Sequence, residues 1–327
     1  MSETDATGDS SLAELLRARL GRAHPVAAAA TVARGETRVA ALGTGLDSRY
    51  EIGSISKGVT GLLYVDSVER GEVSPATRVG ELLHLGDSPA ARATLADLST
   101  HTSGLPRLAM AHVWRKSWNL TRHGKNPYGE SLEALLAAAR EAKVKPSPRV
   151  SYSNLGFELL GHALAAVAGV SYPALVRDRI ASPLGLTSWA VPASAEELGA
   201  VDIQGRSARG RAMEPWTGED LAPAGGIRST VGDMARFASA LLDGTAPGVA
   251  ALDPVTEMSR GMRVGAAWIT LEANGRQVTW HNGGTGGFRT WMGLDREAGT
   301  AAVMLSATAA SVDRPGFALL QDLSSEI

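Results

Sequence analysis

The sequence predicts an α/β protein of the α+β type: an antiparallel β-sheet flanked by helices, with a mostly helical lobe inserted between its strands. Three observations carry this. Strand-like stretches lie at both ends of the chain, His24 to Ala33 and Thr37 to Gly45 early, then Val264 to Ala273, Arg276 to His281, Arg289 to Asp295 and Thr300 to Ser306 late. Apolar residues at helical spacing dominate from Ser54 to about Leu198 between them. With 327 residues and 44% hydrophobic side chains, the chain can also bury a substantial core.

Taken in order, Met1 to Ser10 is acidic and polar and is expected to be flexible, and a helix follows over Leu12 to Leu20. Arg34-Gly35-Glu36 separates the first two strands and reads as a hairpin turn. Ile55, Val59, Leu62, Leu63 and Val68 recur at helical spacing behind Ser54, and Gly71 supplies a stop. Further helices are expected over Leu132 to Ala142 and Leu155 to Val167, with a C-terminal helix from Arg314. If the first and last strands share one sheet, residues 11–60 plus 225–327 form a sheet lobe and 61–224 a helical lobe. A site would then lie where the lobes meet, as pockets often do.

Composition narrows the function. A net charge of −2 gives no bulk attraction to nucleic acid or to a membrane surface. Without cysteine there is no disulfide and no thiolate chemistry. HExxH, P-loop and paired-cysteine signatures are missing, so neither a metal nor a cofactor is expected. The first residues lack a basic segment followed by an apolar one, and no apolar run is long enough to span a bilayer, so a cytoplasmic location is expected. Oligomeric state is not readable.

Three short motifs point to the chemistry: Ser54-Ile55-Ser56-Lys57, Tyr152-Ser153-Asn154 and His281-Asn282-Gly283. None is specific alone; their order is what counts. A serine hydroxyl is a poor nucleophile until a base takes its proton, and there is no G-x-S-x-G elbow to hold a histidine for that purpose. Lysine can serve. Three residues is one helical turn, so the Lys57 amine lies over the same face as the Ser54 hydroxyl, at the end of a helix that favours developing negative charge. Burial beside other donors lets such a lysine lose its proton. Tyr152 is the second candidate proton carrier, and which of the two is the base stays open. Ser54 as a plain helix cap, Lys57 as a solvated cation and Tyr152 as a core residue is the competing reading. Only five residues are Lys, and one of them stands here, which weighs against it.

Longer blocks surround the motifs. Tyr50 to Lys57, the block Leu98-Ser99-Thr100-His101-Thr102-Ser103-Gly104-Leu105-Pro106, the stretch Pro223 to Thr230 with Asp233, and His281 to Phe288 follow with similar spacing. The chain resembles the penicillin-recognising serine hydrolases, the group of class C β-lactamases, D-alanyl-D-alanine carboxypeptidases and related esterases, over roughly residues 11 to 320. The resemblance implies a β-lactamase/transpeptidase-like fold. It makes Ser54 the nucleophile, Lys57 and Tyr152 the proton-transfer pair, and Asn154 a ligand of both the substrate amide and Lys57. The oxyanion hole it implies is the backbone N–H of Ser54 and of Gly284, and His281, Asn282 and Gly283 border the substrate. Two departures stand out. Many β-lactamases have lysine where this chain has His281, and a neutral imidazole holds a carboxylate less firmly, so β-lactam turnover is in doubt. Pro146-Ser147-Pro148-Arg149 replaces a P-G-T-R turn.

Residues 107 to 129 hold Arg107, Arg115, Lys116, Arg122 and Lys125 with no acid, together with Trp114, Trp118, His123 and Tyr128. One reading is a lid in which Trp114, Arg115 and Trp118 bind an anionic or polar ring-bearing substrate. The other is a solvated, partly helical loop whose tryptophans cover the core. For the whole protein the leading expectation is an esterase or amidase that forms an acyl-Ser54 intermediate from a small ester or amide. The alternative is a transacylase that passes the acyl group to an amine, where a lid excludes water. A β-lactamase or D,D-carboxypeptidase ranks lower, partly because such enzymes act outside the cytoplasm. A non-catalytic binding protein ranks last.

Overall fold

In the computed structural model, which describes residues 6–108, 113–145, 149–273 and 275–325, a nine-stranded sheet forms the spine. In chain order the strands are β1 (Ala6–Gly8), β2 (Ala27–Ala33), β3 (Glu36–Leu42), β4 (Tyr50–Glu51), β5 (Arg228–Ser229), β6 (Thr256–Ser259), β7 (Met262–Val264), β8 (Ile269–Ala273), β9 (Arg276–Gly284), β10 (Arg289–Asp295) and β11 (Thr300–Ser306). The helices are α1 (Ser10–Leu20), α2 (Ile55–Glu69), α3 (Leu95–Ser99), α4 (Val113–His123), α5 (Leu132–Arg140), α6 (Asn154–Ala168), α7 (Tyr172–Val176), α8 (Ala222–Gly225), α9 (Val231–Leu242) and α10 (Asp313–Ser325).

The large sheet runs β1-β3-β2-β11-β10-β9-β8-β7-β6, so the N-terminal hairpin joins the C-terminal strands through β2 and β11, all neighbours antiparallel. The expected hairpin is there: Ala33 pairs with Glu36, and Arg34 and Gly35 both take positive φ (51° and 76°), the combination a two-residue turn needs to match strand twist. Central strand β11 is buried from Thr300 to Ser306, because helices cover both faces of the sheet. On one face α1 and α10 bring Leu12, Leu16, Leu319 and Leu320 against Trp291 and Met304. Gly316 lets α10 lie flat on Trp291, since a Cβ there would come within 2.5 Å of the indole. The other face carries α9 and α2 and runs into the core of the helical region.

Several expectations shift. Ala6 to Gly8, expected to be flexible, pair with Leu42 to Ala40 as an edge strand, and Asp9 caps α1 by accepting from Leu12 N–H, which starts that helix two residues early. The strand expected over Val264 to Ala273 is broken. Gly265 to Trp268 leave the sheet, Ala267 is left-handed (φ 70°), and the segment packs on α2, where Gly58 meets Trp268 and Gly61 faces Ala266 O. Helix α6 matches its expected span closely, with Ser153 accepting from Gly156 N–H at the start and left-handed Gly169 at the end.

Every residue of helix α2 from Ile55 to Tyr64 is buried, so it is the central pillar of the molecule. No single helix among the described residues is long and apolar enough to cross a membrane.

Candidate active site

The segment that leads into α2 is held from both sides. Tyr50 pairs with Ser229 and Glu51 with Arg228, and Ile52 N–H donates to Ile227 O at 3.0 Å. Below them the fully buried Arg228 guanidinium donates to Glu51 Oε1 at 2.6 Å, and the same oxygen accepts from Trp216 N–H at 2.9 Å. Gly53 then turns the chain at φ 54°, and a Cβ on it would lie 2.6 Å from Gly284 N. Gly283 is equally tight, because its Cβ would fall 2.0 Å from Ile52 O. Two glycines thus let the end of β9 press against the start of α2, and Ser54 and Gly284 come to line one cleft.

Ser54 precedes the helix without capping it: its side chain accepts no backbone N–H. Its hydroxyl instead receives Lys57 Nζ at 3.2 Å and faces the cleft. Lys57 is fully buried and donates a second bond, 2.5 Å, to Ala224 O of α8. Among the described residues it has no carboxylate partner. The Lys57 ammonium stands 5.0 Å from the centroid of the Tyr152 ring, and Arg107 Cζ stands 5.4 Å from the same centroid.

Asn154 is placed differently from expectation. Its Nδ2 donates to Tyr128 Oη at 2.9 Å, and its Oδ1 takes no bond from Lys57, whose Nζ donates to Ser54 and Ala224. Asn154 Oδ1 is buried and unpartnered at the cleft wall. His281 is buried, and its Nδ1–H donates to Asn282 O at 2.7 Å, which leaves an unpartnered lone pair on Nε2. Burial, then the charge of Lys57, pushes its pKa down to about 4, so the imidazole is neutral. Asn282 faces the opposite side of β9 and donates to the Asp313 carboxylate at 3.1 and 3.2 Å. Strand alternation is the reason: His281 and Gly283 share one face and Asn282 takes the other.

The cleft opens to solvent and, with that open space included, spans about 1000 Å³. Ser54, Asn154, Gly225 and Gly284 line it together with Tyr128, Trp216, Leu120 and Leu221. The charged residues among its described lining are Arg107, Glu130, Glu158 and Asp220. Burial, and next the Glu158 charge, raise the Tyr128 pKa and keep that phenol protonated.

This geometry can be set beside known proteins. The family model described as Beta-lactamase matches residues 12–323. The chain belongs to the beta-lactamase family. Class C beta-lactamase from Rhodobacter sphaeroides shares its fold at TM-score 0.79 and 21% identity, covering 97% of this chain and 99% of that one. D-alanine carboxypeptidase AmpC from Burkholderia cenocepacia does so at 0.78 and 22%, covering 97% of each. In sequence, D-alanyl-D-alanine-carboxypeptidase/endopeptidase AmpH of Escherichia coli K12 is 31% identical over 59% of this chain and 48% of its own length, so the chain spans about half of that relative. Unguisins hydrolase ungD' of Aspergillus campestris is 27% identical over 99% of this chain and 66% of its own length.

Within this beta-lactamase-family chain, the structure brings Ser54, Lys57, Tyr152, Asn154 and Gly284 together and separates others from them. The side chains of Trp114 and Arg115 lie outside the described residues. Trp118 is 63% exposed on α4 and does not line the cleft, whereas Leu120 does. Two residues apart on a helix is about 200° of rotation, so the two cannot share a face. Sequence reasoning missed Tyr128, Glu158, Trp216 and Asp220 as wall residues. Glu158 had a signal, the one acid of its helix, one turn after Asn154, while Trp216 and Asp220 had none in their local sequence.

Proposed function

We propose that this chain is a serine hydrolase that attacks an ester or amide carbonyl of a small molecule and passes through an acyl-Ser54 intermediate. The observation that carries the reading is the contact of buried Lys57 Nζ with Ser54 Oγ at 3.2 Å, at the mouth of a cleft that Gly284 also borders. The Lys57–Tyr152 pair takes the Ser54 proton as the oxygen adds to the carbonyl carbon. The N–H groups of Ser54 and Gly284 take the developing oxyanion. Lys57, with Tyr152 beside it, returns the proton to the leaving alcohol or amine, and water then repeats the sequence on the acyl-enzyme. Asn154 Oδ1 offers an acceptor to a substrate N–H. The residues that make up the site come from both proposed lobes: Ser54, Gly225 and Gly284 from residues 11–60 and 225–327, Tyr128 and Asn154 from residues 61–224.

Substrate choice follows from the third motif. His281 is neutral, buried and bonded to Asn282 O, so it presents no fixed cation to a carboxylate beside the scissile bond. That favours esters and amides without such a carboxylate over β-lactams and D,D-peptides. The ungD' relative, named a hydrolase of unguisins, and the AmpH relative, named a carboxypeptidase/endopeptidase, support hydrolysis of an amide or ester as the chemistry. Transfer of the acyl group to an amine is the alternative fate of the acyl-enzyme.

The test is intact-protein mass after brief exposure to p-nitrophenyl butyrate, with peptide mapping. A butyryl adduct on Ser54, lost in Ser54→Ala, is the expected result; release of no p-nitrophenol overturns the reading. Added primary amine then separates the fates, since an amide product would favour transfer over hydrolysis.

A further inference from the structure

His101 lines no part of the cleft, yet it grips both sides of Tyr152. Its carbonyl accepts from Ser151 N–H at 2.8 Å, and its Nδ1 accepts from Ser153 N–H at 3.1 Å. Its ring lies 4.5 Å from the Tyr152 ring at 34°, and Phe157 backs it at 4.8 Å. Only 3% of the residue is exposed. The grip is set by an uncommon backbone: His101 is left-handed at φ 60°, at the end of α3, where Thr102 N–H and Ser103 N–H both return to Asp97 O. The same loop reaches on along the motif, with Pro106 O accepting from Ser153 Oγ at 2.7 Å and Arg107 O from Asn154 N–H at 2.9 Å.

A backbone N–H can only donate, so Nδ1 of His101 must keep its lone pair; a protonated or apolar side chain here would orphan a buried N–H. We propose that His101 is a positioning residue for acyl transfer, its neutral imidazole fixing the Tyr152 peptide so that the phenol ring stays beneath the Lys57 ammonium. This rests on the acyl-Ser54 reading. Of the block Leu98 to Pro106, His101 is the side chain whose replacement would release Tyr152 without touching Ser54 or Lys57.

Asparagine and glycine separate the role from mere folding. Both tolerate a left-handed backbone, and Asn Oδ1 stands in for the Nδ1 acceptor while glycine removes it. The measurement is kcat and KM for p-nitrophenyl butyrate, with the rate of Ser54 acylation in a single turnover and a melting curve for each protein. His101→Gly is expected to lose at least tenfold in kcat and acylation rate with KM within about threefold, and His101→Asn to recover to within about fivefold of wild type. Glycine at wild-type kcat, or asparagine no better than glycine, overturns the assignment. If the glycine protein shows no cooperative melt, the asparagine protein decides, and a loss beyond about fivefold overturns it. Wild-type protein that is never acylated overturns the acyl-enzyme reading and this assignment together, whereas normal wild-type acylation beside an unimpaired glycine variant overturns the assignment alone.

Discussion

Lys57 divides its ammonium between the Ser54 hydroxyl at 3.2 Å and the Ala224 carbonyl at 2.5 Å. The second bond holds the amine at the first, because a long flexible side chain with one acceptor would sample other rotamers. Lysine and no other cation suits this place. Lys57→Arg keeps a charge that is never released, and Lys57→Met removes the amine of the proposed proton-transfer pair. Both are expected to lower kcat by about 10²–10⁴-fold, read as p-nitrophenol release and loss of the Ser54 adduct. Stability should move the other way for methionine, since an ammonium buried without a carboxylate is costly; an unchanged or higher melting temperature is expected.

Gly53 and Gly284 make a second test. A methyl group on Gly53 would meet Gly284 N at 2.6 Å and Gly283 C at 3.1 Å, at a φ of 54° that side chains disfavour. Gly53→Ala must therefore push β9 away from the start of α2 and spread the two N–H groups proposed to hold the oxyanion. Loss of one such donor costs about a hundredfold or more in kcat. The expected outcome is a loss of that size with Ser54 and Lys57 intact, and wild-type kcat would count against the assigned oxyanion hole.

His281 predicts a pH dependence. Its pKa falls from an ordinary 6.5 to about 4 through burial and the Lys57 charge, so between those values the unfolded chain binds the proton and the native state does not. Stability from this group is full above pH 6.5 and is lost as pH falls toward 4. At pH 4 the loss amounts to about 3 kcal/mol relative to pH 7. Denaturant unfolding at the two pH values checks it. His281→Gln, which cannot titrate, should show a smaller drop than wild type by about that amount; equal drops would mean that His281 is not the group.

The strands and the Ser54–Lys57 contact were legible in the sequence because their signals are local. Arg34-Gly35 declares a turn by itself, and Ser54 and Lys57 are one helical turn apart whatever the rest of the chain does. Asn282 was misplaced because alternation tells which residues of β9 share a face but not which face meets the cleft; that depends on α10, whose Asp313 takes the Asn282 amide. Trp118 was misplaced for the same reason on a helix, and it is Leu120 that turns inward. Ala6 to Gly8 are too few to show any period, so their pairing with β3 is legible only in three dimensions. The Tyr128–Asn154 bond joins residues 26 apart, across a segment without a motif of its own.

That bond supplies the last prediction. Tyr128 Oη accepts from Asn154 Nδ2 at 2.9 Å, and this leaves Oδ1 as the amide atom with no partner at the cleft wall. Tyr128 is kept protonated by burial and by the Glu158 charge, so its hydroxyl stays a neutral acceptor for the amide across the working pH range. Removing it in Tyr128→Phe frees the Asn154 amide to rotate, and the orientation that offers Oδ1 to a substrate N–H is no longer fixed. A simple aryl ester has no N–H to lose and should show kcat and KM within about twofold of wild type. An ester or amide with an N-acyl amino group beside the scissile carbonyl should show a KM higher by about five- to tenfold, since one neutral hydrogen bond contributes about 1 kcal/mol, at nearly unchanged kcat. Michaelis constants for the two substrates, measured side by side on both proteins, decide it: a KM increase common to both substrates would mean that Tyr128 shapes the cleft as a whole and does not aim Asn154.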